Sequence, residues 1–234
     1  MEPGSYLVEG LGHCGTCHSS KNAIGGDKDG HFLAGNNLQG WVAPDITNRN
    51  HTGIGKWTEA EIVQYLKTGA NRYDIASGPM AEAVEHSTQH WRDDDLLAVA
   101  VYLKDLGVEE QPIPRPVDAS SARMQAGKAI YEDRCSACYV SNGEGITHLF
   151  PRLANAPLVN SADPSSIIRV VLSGSRAGET HEAPTAPSMP AFAWNMTDQN
   201  VADVATYIRN TWGNSASTVE PADVGAMRTQ LSNH

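Results

Sequence analysis

Gly12-His13-Cys14-Gly15-Thr16-Cys17-His18 is the stretch on which the fold turns. Two thiols three positions apart on a helical turn, followed directly by an imidazole, form the C-x-x-C-H pattern that attaches a c-type haem. Each thiol adds to one vinyl group of the ring. His18 then stands beneath the iron as an axial ligand, and Met is a common partner on the opposite side. A second pair follows at Cys135-Ser136-Ala137-Cys138, but the next residue is Tyr139 and not His.

All four cysteines belong to these two pairs. Disulfides, a zinc site and a thioredoxin-like redox pair are the competing readings. A four-Cys zinc site brings two knuckles together, usually within about 20 residues of one another. Here the whole stretch from Cys17 to Cys135 intervenes. A thioredoxin-like pair needs a βαβ setting, and the surrounding pattern is helical. Haem attachment is therefore the reading for both pairs, and two haem c groups are expected.

Composition agrees with a folded, cofactor-wrapping chain. Hydrophobic residues make up 40% and charged residues 19%, which excludes a disordered polyelectrolyte. Aromatics are sparse at 6%, while 21 Gly and 13 Pro point to long loops between short helices. A formal net charge of −10 argues against nucleic acid as a partner. It also suits basic patches on protein partners, although a solvated acidic surface explains it as well. No apolar run approaches the roughly 20 residues of a membrane span. Met1-Glu2-Pro3-Gly4 has neither the basic start nor the apolar run of a signal peptide. Haem of this type is attached outside the bacterial cytoplasm, so a periplasmic location is expected of the mature chain.

Along the chain, residues Gly4 to His18 read as one helix that delivers the first pair. Ser19 to Lys56 is a Gly- and Asn-rich loop that turns apolar at Trp41-Val42-Ala43-Pro44-Asp45-Ile46-Thr47. Such residues suit the lining of a haem pocket, although Trp41 is equally a core residue. Thr58-Glu59-Ala60-Glu61 is a capping box. It opens a helix with Ile62, Tyr65 and Leu66 on one face, ending before Gly69. Gly78-Pro79-Met80 reads as a loop. A helix from near Asp93 presents Leu96, Val99, Ala100 and Leu103 on one face.

Pro112, Pro114 and Pro116 then mark a stiffened linker over 109–118. The same order repeats beyond it. A helix over Ala122 to Cys138 ends in the second pair, and Phe150-Pro151-Arg152-Leu153 matches the loop around Pro44. Asp163-Pro164 opens a helix to Gly174. Ser188-Met189-Pro190 matches Gly78-Pro79-Met80, and Thr197 caps a last helix ending at Trp212-Gly213. This repetition predicts an internal duplication. Residues 1–108 and 119–214 are the two expected domains, followed by a polar tail over 215–234 with a short helix near Asp223 to Leu231.

The ordered motifs resemble class I cytochrome c domains in tandem. More narrowly, the chain is similar to the cytochrome c subunits of bacterial membrane-bound dehydrogenases for alcohols and gluconate. In the first half the resemblance is carried by Tyr6-Leu7-Val8-Glu9, Gly12-His13-Cys14, Gly40 to Thr47 and Gly53-Ile54-Gly55-Lys56-Trp57. In the second it is carried by Met189-Pro190-Ala191-Phe192 and Tyr207 to Asn214. It covers about Tyr6 to Asn214. Members of that family typically carry three haem domains, and this chain resembles the second and third. The implied fold is all-α: two tandem cytochrome c domains joined by the Pro-rich linker.

The resemblance also implies a ligand set. Met80 stands in the first domain's ligand loop and Met189 in the second's, with Met196 as Met189's competitor beside the cap of the last helix. His13, His31, His51, His86 and His90 are the alternatives to Met80. Pro44 and Pro151 sit where a backbone carbonyl in similar domains accepts the proximal His Nδ1–H, a bond that fixes the ring. In the second domain that carbonyl has lost its donor.

Tyr139 leaves three readings open. Its phenolate ligates ferric iron and lowers the potential; or it stays unligated, with His148 or His181 as substitutes; or the second haem is missing. The expected function is a periplasmic dihaem carrier taking electrons from a dehydrogenase to a quinone or a terminal oxidase. The competing function is a peroxidase-like enzyme at the altered second haem, with Arg152 and Arg169 as its candidate polar groups.

Overall fold

The computed structural model describes residues 3–233, so Met1, Glu2 and His234 at the ends of the expected spans lie outside it. In chain order, α1 (Pro3–Ser5) runs into a π-helical turn over Tyr6–Leu11, followed by α2 (Gly15–His18). Then come α3 (Glu59–Thr68), α4 (Pro79–His86), α5 (Asp93–Asp105), α6 (Ala122–Arg134) and α7 (Ser136–Tyr139). The last four are α8 (Pro157–Asn160), α9 (Ser165–Ser173), α10 (Asp198–Arg209) and α11 (Pro221–Ser232). The structure is mostly helical, as expected, with two short antiparallel ribbons beside the helices. They pair β1 (Asn36–Leu38) with β2 (Trp41–Ala43), and β3 (Ser175–Arg176) with β4 (Ser188–Met189). Segments this short leave no alternating pattern to read in a sequence.

Local chemistry sets the helix ends. Thr58 Oγ1 accepts from Glu61 N while Glu61 Oε2 accepts from Thr58 N, so both bonds of the capping box form. Thr197 and Asn200 make the same reciprocal pair at α10. Gly69 closes α3 in the left-handed conformation at φ 76°, donating to Tyr65 O.

The expected single helix over Gly4 to His18 is broken. Gly12 N donates to Leu7 O at 2.7 Å and Cys14 N to Val8 O at 2.9 Å, which widens the turn. His13, at φ 37°, then restarts the chain into α2.

Two hydrophobic cores form, one within residues 7–103 and one within 124–227. In each, an early helix crosses a late one at a glycine. A Cβ on Gly4 would overlap Ala98 O and lie 2.6 Å from Tyr102 Cβ, both on α5. A Cβ on Gly127 would overlap Asp203 O and lie 2.7 Å from Tyr207 Cβ, both on α10. The shared spacing of these partners, four residues apart on one helix face, is a packing signature common to both halves.

The segment expected as a polar tail instead completes the second core. Val219, Val224 and Met227 are buried there, and α11 packs on α9 and α10. Fully buried Arg209 fastens its approach by donating to Val159 O, Ser217 O and Ser217 Oγ at 3.0–3.1 Å. Among the described residues no helix is long and apolar enough to cross a membrane.

Candidate functional site

Cys14 caps α2 and His18 ends it, so one short helix presents both thiols and the imidazole. Both thiols are unpaired, Cys14 half-buried and Cys17 exposed. Burial raises the Cys14 thiol pKa, against its own backbone hydrogen bond.

His18 Nδ1 lies 2.7 Å from Pro44 O. A carbonyl can only accept, so Nδ1 carries the proton and Nε2 keeps its lone pair for a metal. Burial lowers the His18 pKa, with the Pro44 bond and the Asp45 charge opposing it, so the ring is held neutral.

The Pro44 carbonyl is fixed from both sides. Before it, β2 pairs with β1. After it, Asp45 accepts from Thr47 N at 2.8 Å, Thr47 Oγ1 at 2.6 Å, Thr52 Oγ1 at 2.9 Å and Arg49 NH1 at 2.9 Å. Both charged side chains of this cluster are under a tenth exposed. A buried ion pair persists when further hydrogen bonds satisfy it, as they do here.

Met80 is the second residue of α4, not a loop residue. Pro79 fills the first helical position and Gly78, at φ 56°, turns the chain into it. A side chain at Gly78 would meet the Trp41 indole at 2.8 Å. Trp41 is therefore half-buried packing against the Met80 turn, with Arg169 of the second half 5.2 Å above its ring. The 41–45 segment thus touches the His18 ring at one end and the Met80 turn at the other.

In the second half, Cys135 ends α6 and Cys138 lies in α7, again unpaired. Burial, then the neighbouring Cys138, pushes the Cys135 thiol up to about 11. Tyr139 Oη donates to Met189 Sδ at 3.2 Å. The residue after the second pair and the expected methionine therefore face each other directly. Burial, then the two cysteines, raises the Tyr139 pKa well above the usual phenol range. Among the described residues no hydrogen bond joins Tyr139 to Pro151. Met196, the competitor of Met189, is buried in the core.

The alternative histidines stand apart from these groups. His13, His31, His86, His90 and His148 are exposed, and His51 Nε2 lies 3.0 Å from Ser215 O. The His181 ring sits on that of His90 at 5.9 Å.

The donor sets discriminate between the two sites. The first fits a covalently held haem: two free thiols, a neutral imidazole with its far nitrogen open, and a buried carbonyl aligning the ring. The second fits thioether attachment. There Tyr139 and Met189 are hydrogen-bonded to each other at 3.2 Å and would have to separate to admit a metal between them.

Residues 124–212 match the cytochrome c family. The chain carries a cytochrome c domain. It is 39% identical, over 96% of its length, to the gluconate 2-dehydrogenase cytochrome c subunit of Pantoea cypripedii, covering 55% of that protein. It is 37% identical to the cytochrome c subunit of the quinone alcohol dehydrogenase of Gluconobacter oxydans, over 97% of this chain and 51% of that one. A diheme c-type cytochrome of Cereibacter sphaeroides matches at 42% over 44% of this chain and 34% of its own. The cytochrome spans about half the length of the two dehydrogenase subunits. Its cofactor is covalently bound haem c.

Arg49, Thr52 and the anchoring role of Asp45 join the site only in the structure. An Asp directly after the Pro, with a basic residue four positions on, was the available signal.

Proposed function

We propose that this cytochrome is a periplasmic dihaem electron carrier. It is built from two tandem domains, residues 1–108 and 119–214, joined by the Pro-rich linker 109–118. Cys14 and Cys17 hold the first haem by thioethers, with His18 and Met80 as axial ligands. Cys135 and Cys138 hold the second, where Tyr139 replaces the proximal His and Met189 faces it. Bound haem supplies one-electron exchange between ferric and ferrous iron.

The observation that carries the reading is the His18–Pro44 bond. It presets the tautomer and ring angle that a permanent axial ligand needs. With Met80 as second ligand, bound haem would have no open position for substrate, which suits a carrier. Both polar candidates for a peroxidase-like site have other partners, although the buried Arg152 Nε has none among the described residues. Arg169 donates to Gly40 O and Gln39 O, and Arg152 to Glu144.

The relatives are cytochrome c subunits of gluconate and quinone alcohol dehydrogenases. On that basis a dehydrogenase is the donor, and a quinone or terminal oxidase the acceptor. The test is a haemochrome count per chain with a redox titration of the purified holoprotein. Two haems with separated midpoints support the reading, and one haem per chain refutes the second site.

A further inference from the structure

The loop between α9 and Met189 does more than return the chain. Arg176 pairs with Ser188, next to Met189, in the β3–β4 ribbon. The following residue, Ala177, makes an antiparallel bridge to Ser77 of the first half, three positions before Met80. Gly178 N donates to Ala76 O at 3.3 Å. A Cβ on Gly178 would lie 3.4 Å from Ala81 Cβ, Ala81 O and Glu85 Cγ, so the backbone itself rests on α4. Glu179 N donates to the Glu85 carboxylate. Buried Thr180 donates to Thr68 O at 3.1 Å, and His181 N to Gln89 Oε1 at 3.0 Å.

Residues 176–181 therefore run from beside one methionine along α4, whose second residue is the other, while Thr180 fastens them to the end of α3. The first half supplies the Trp41–Gly78 contact on that turn, while the strap covers α4 from the second half.

We infer that residues 176–181 are a positioning strap holding α4, and with it Met80, in place for the first iron, with Gly178 and Thr180 as its anchors. The inference rests on the proposed role of Met80 as ligand. The strap acts through Met80 and touches no haem itself. It also makes the first site depend on the β3–β4 ribbon that carries Met189, so the two centres share one mechanical element.

The experiment uses the holoprotein and three variants. Gly178→Val places methyl groups beyond the 3.4 Å contact and crowds α4. Thr180→Val keeps the shape and removes the bond to Thr68 O. Gly178→Ala stops at ordinary contact distance and serves as the conservative control. The readouts are the far-red Met-to-iron(III) band of the first haem, its midpoint potential, and the rate at which imidazole displaces methionine from ferric iron.

Gly178→Val is expected to weaken the band, shift the midpoint and speed displacement by about tenfold or more, and Thr180→Val to speed it about fivefold, the scale of one hydrogen bond. Gly178→Ala should match the parent. If both crowding and bond-deleting variants keep the parent's helicity, band, midpoint and displacement rate, the strap is only a surface contact and the inference falls. Met80→Ala separates the premises: if that change leaves the band intact, Met80 is not the ligand, and both the ligand assignment and the strap's role are overturned.

Discussion

Replacing Tyr139 by His should convert the second centre into a copy of the first. In the structure Tyr139 Oη is 3.2 Å from Met189 Sδ. The pair must separate to admit a metal between them. Opening breaks one neutral hydrogen bond, a net cost of about 0.5–1.5 kcal/mol. That is small beside ligand bonding, so attachment is not blocked, but any phenolate bond that forms favours ferric iron. Imidazole is shorter, withdraws from the sulfur and is neutral. Tyr139→His is therefore expected to add a second Met-to-iron(III) band. It should also raise the second midpoint by roughly 0.1–0.3 V, a fraction of the ~0.8 V that axial ligands span. Tyr139→Phe keeps the ring and deletes the oxygen, so it should raise the midpoint without creating the band. Haemochrome counts, far-red absorption and a potentiometric titration read all three proteins. A Tyr139→His protein with the parent's count, spectrum and midpoints would refute the assignment of position 139 to the proximal side.

Other perturbations reach the scaffold. Burial raises the Asp74 carboxyl from 3.8 to about 7, against the Ile75 N–H that it accepts. Between those values the unfolded chain has released a proton that the folded chain keeps. Stability therefore falls as pH rises from about 4 to 7 and stays lowered above that. Asp74→Asn should abolish this slope and add roughly 1–3 kcal/mol at pH 8 with little change at pH 4, as read by thermal melts at both values. Gly127→Ala places a methyl into Asp203 O and Tyr207 and should cost about 1–3 kcal/mol in urea unfolding. Asp45→Ala leaves Arg49 buried without its carboxylate and should cost about 3–5 kcal/mol. The same change should loosen the Pro44 carbonyl and broaden the first-haem signals in NMR; sharp parent-like signals would count against the anchoring role of Asp45.

Local signals in the sequence carried the helices whose ends are made by their own residues. Thr58 with Glu61, Gly69, and Thr197 are each visible without knowledge of the rest of the chain, and each does locally what its chemistry dictates. The C-x-x-C-H motif pointed to His18 and the family resemblance to Pro44, and the two meet at 2.7 Å. What stayed hidden depends on partners distant in sequence. The docking of α11 needs α9 and α10 as its other surface, and around Val224 and Met227 its own sequence carries Asp223, Arg228, Thr229 and Gln230. The π turn over Tyr6–Leu11 follows directly on Gly4, which lies against α5. Met80 reads as a loop residue because Gly78-Pro79 is a turn signal, yet Pro also suits the first position of a helix.

The glycine crossing common to both halves locates the difference between them. Both keep the glycine-mediated crossing, and the second surrounds its crossing with Tyr131, Tyr207 and Trp212, ring centroids 4.7–5.7 Å apart. Tyr131 Oη also donates to Val140 O at 2.6 Å, directly after Tyr139. The backbone that presents position 139 is therefore held by groups other than its side chain. Tyr139 itself is satisfied by Met189 and leaves no buried polar atom without a partner, so its presence demands no distortion of the fold. A position whose backbone is fixed from outside, and whose hydroxyl bonds to Met189 while its ring rests beside Phe150, can change the proposed iron environment with little change to the domain. Exchanges at 139 should thus move potentials and spectra far more than melting temperatures, the reverse of what Gly127→Ala will do.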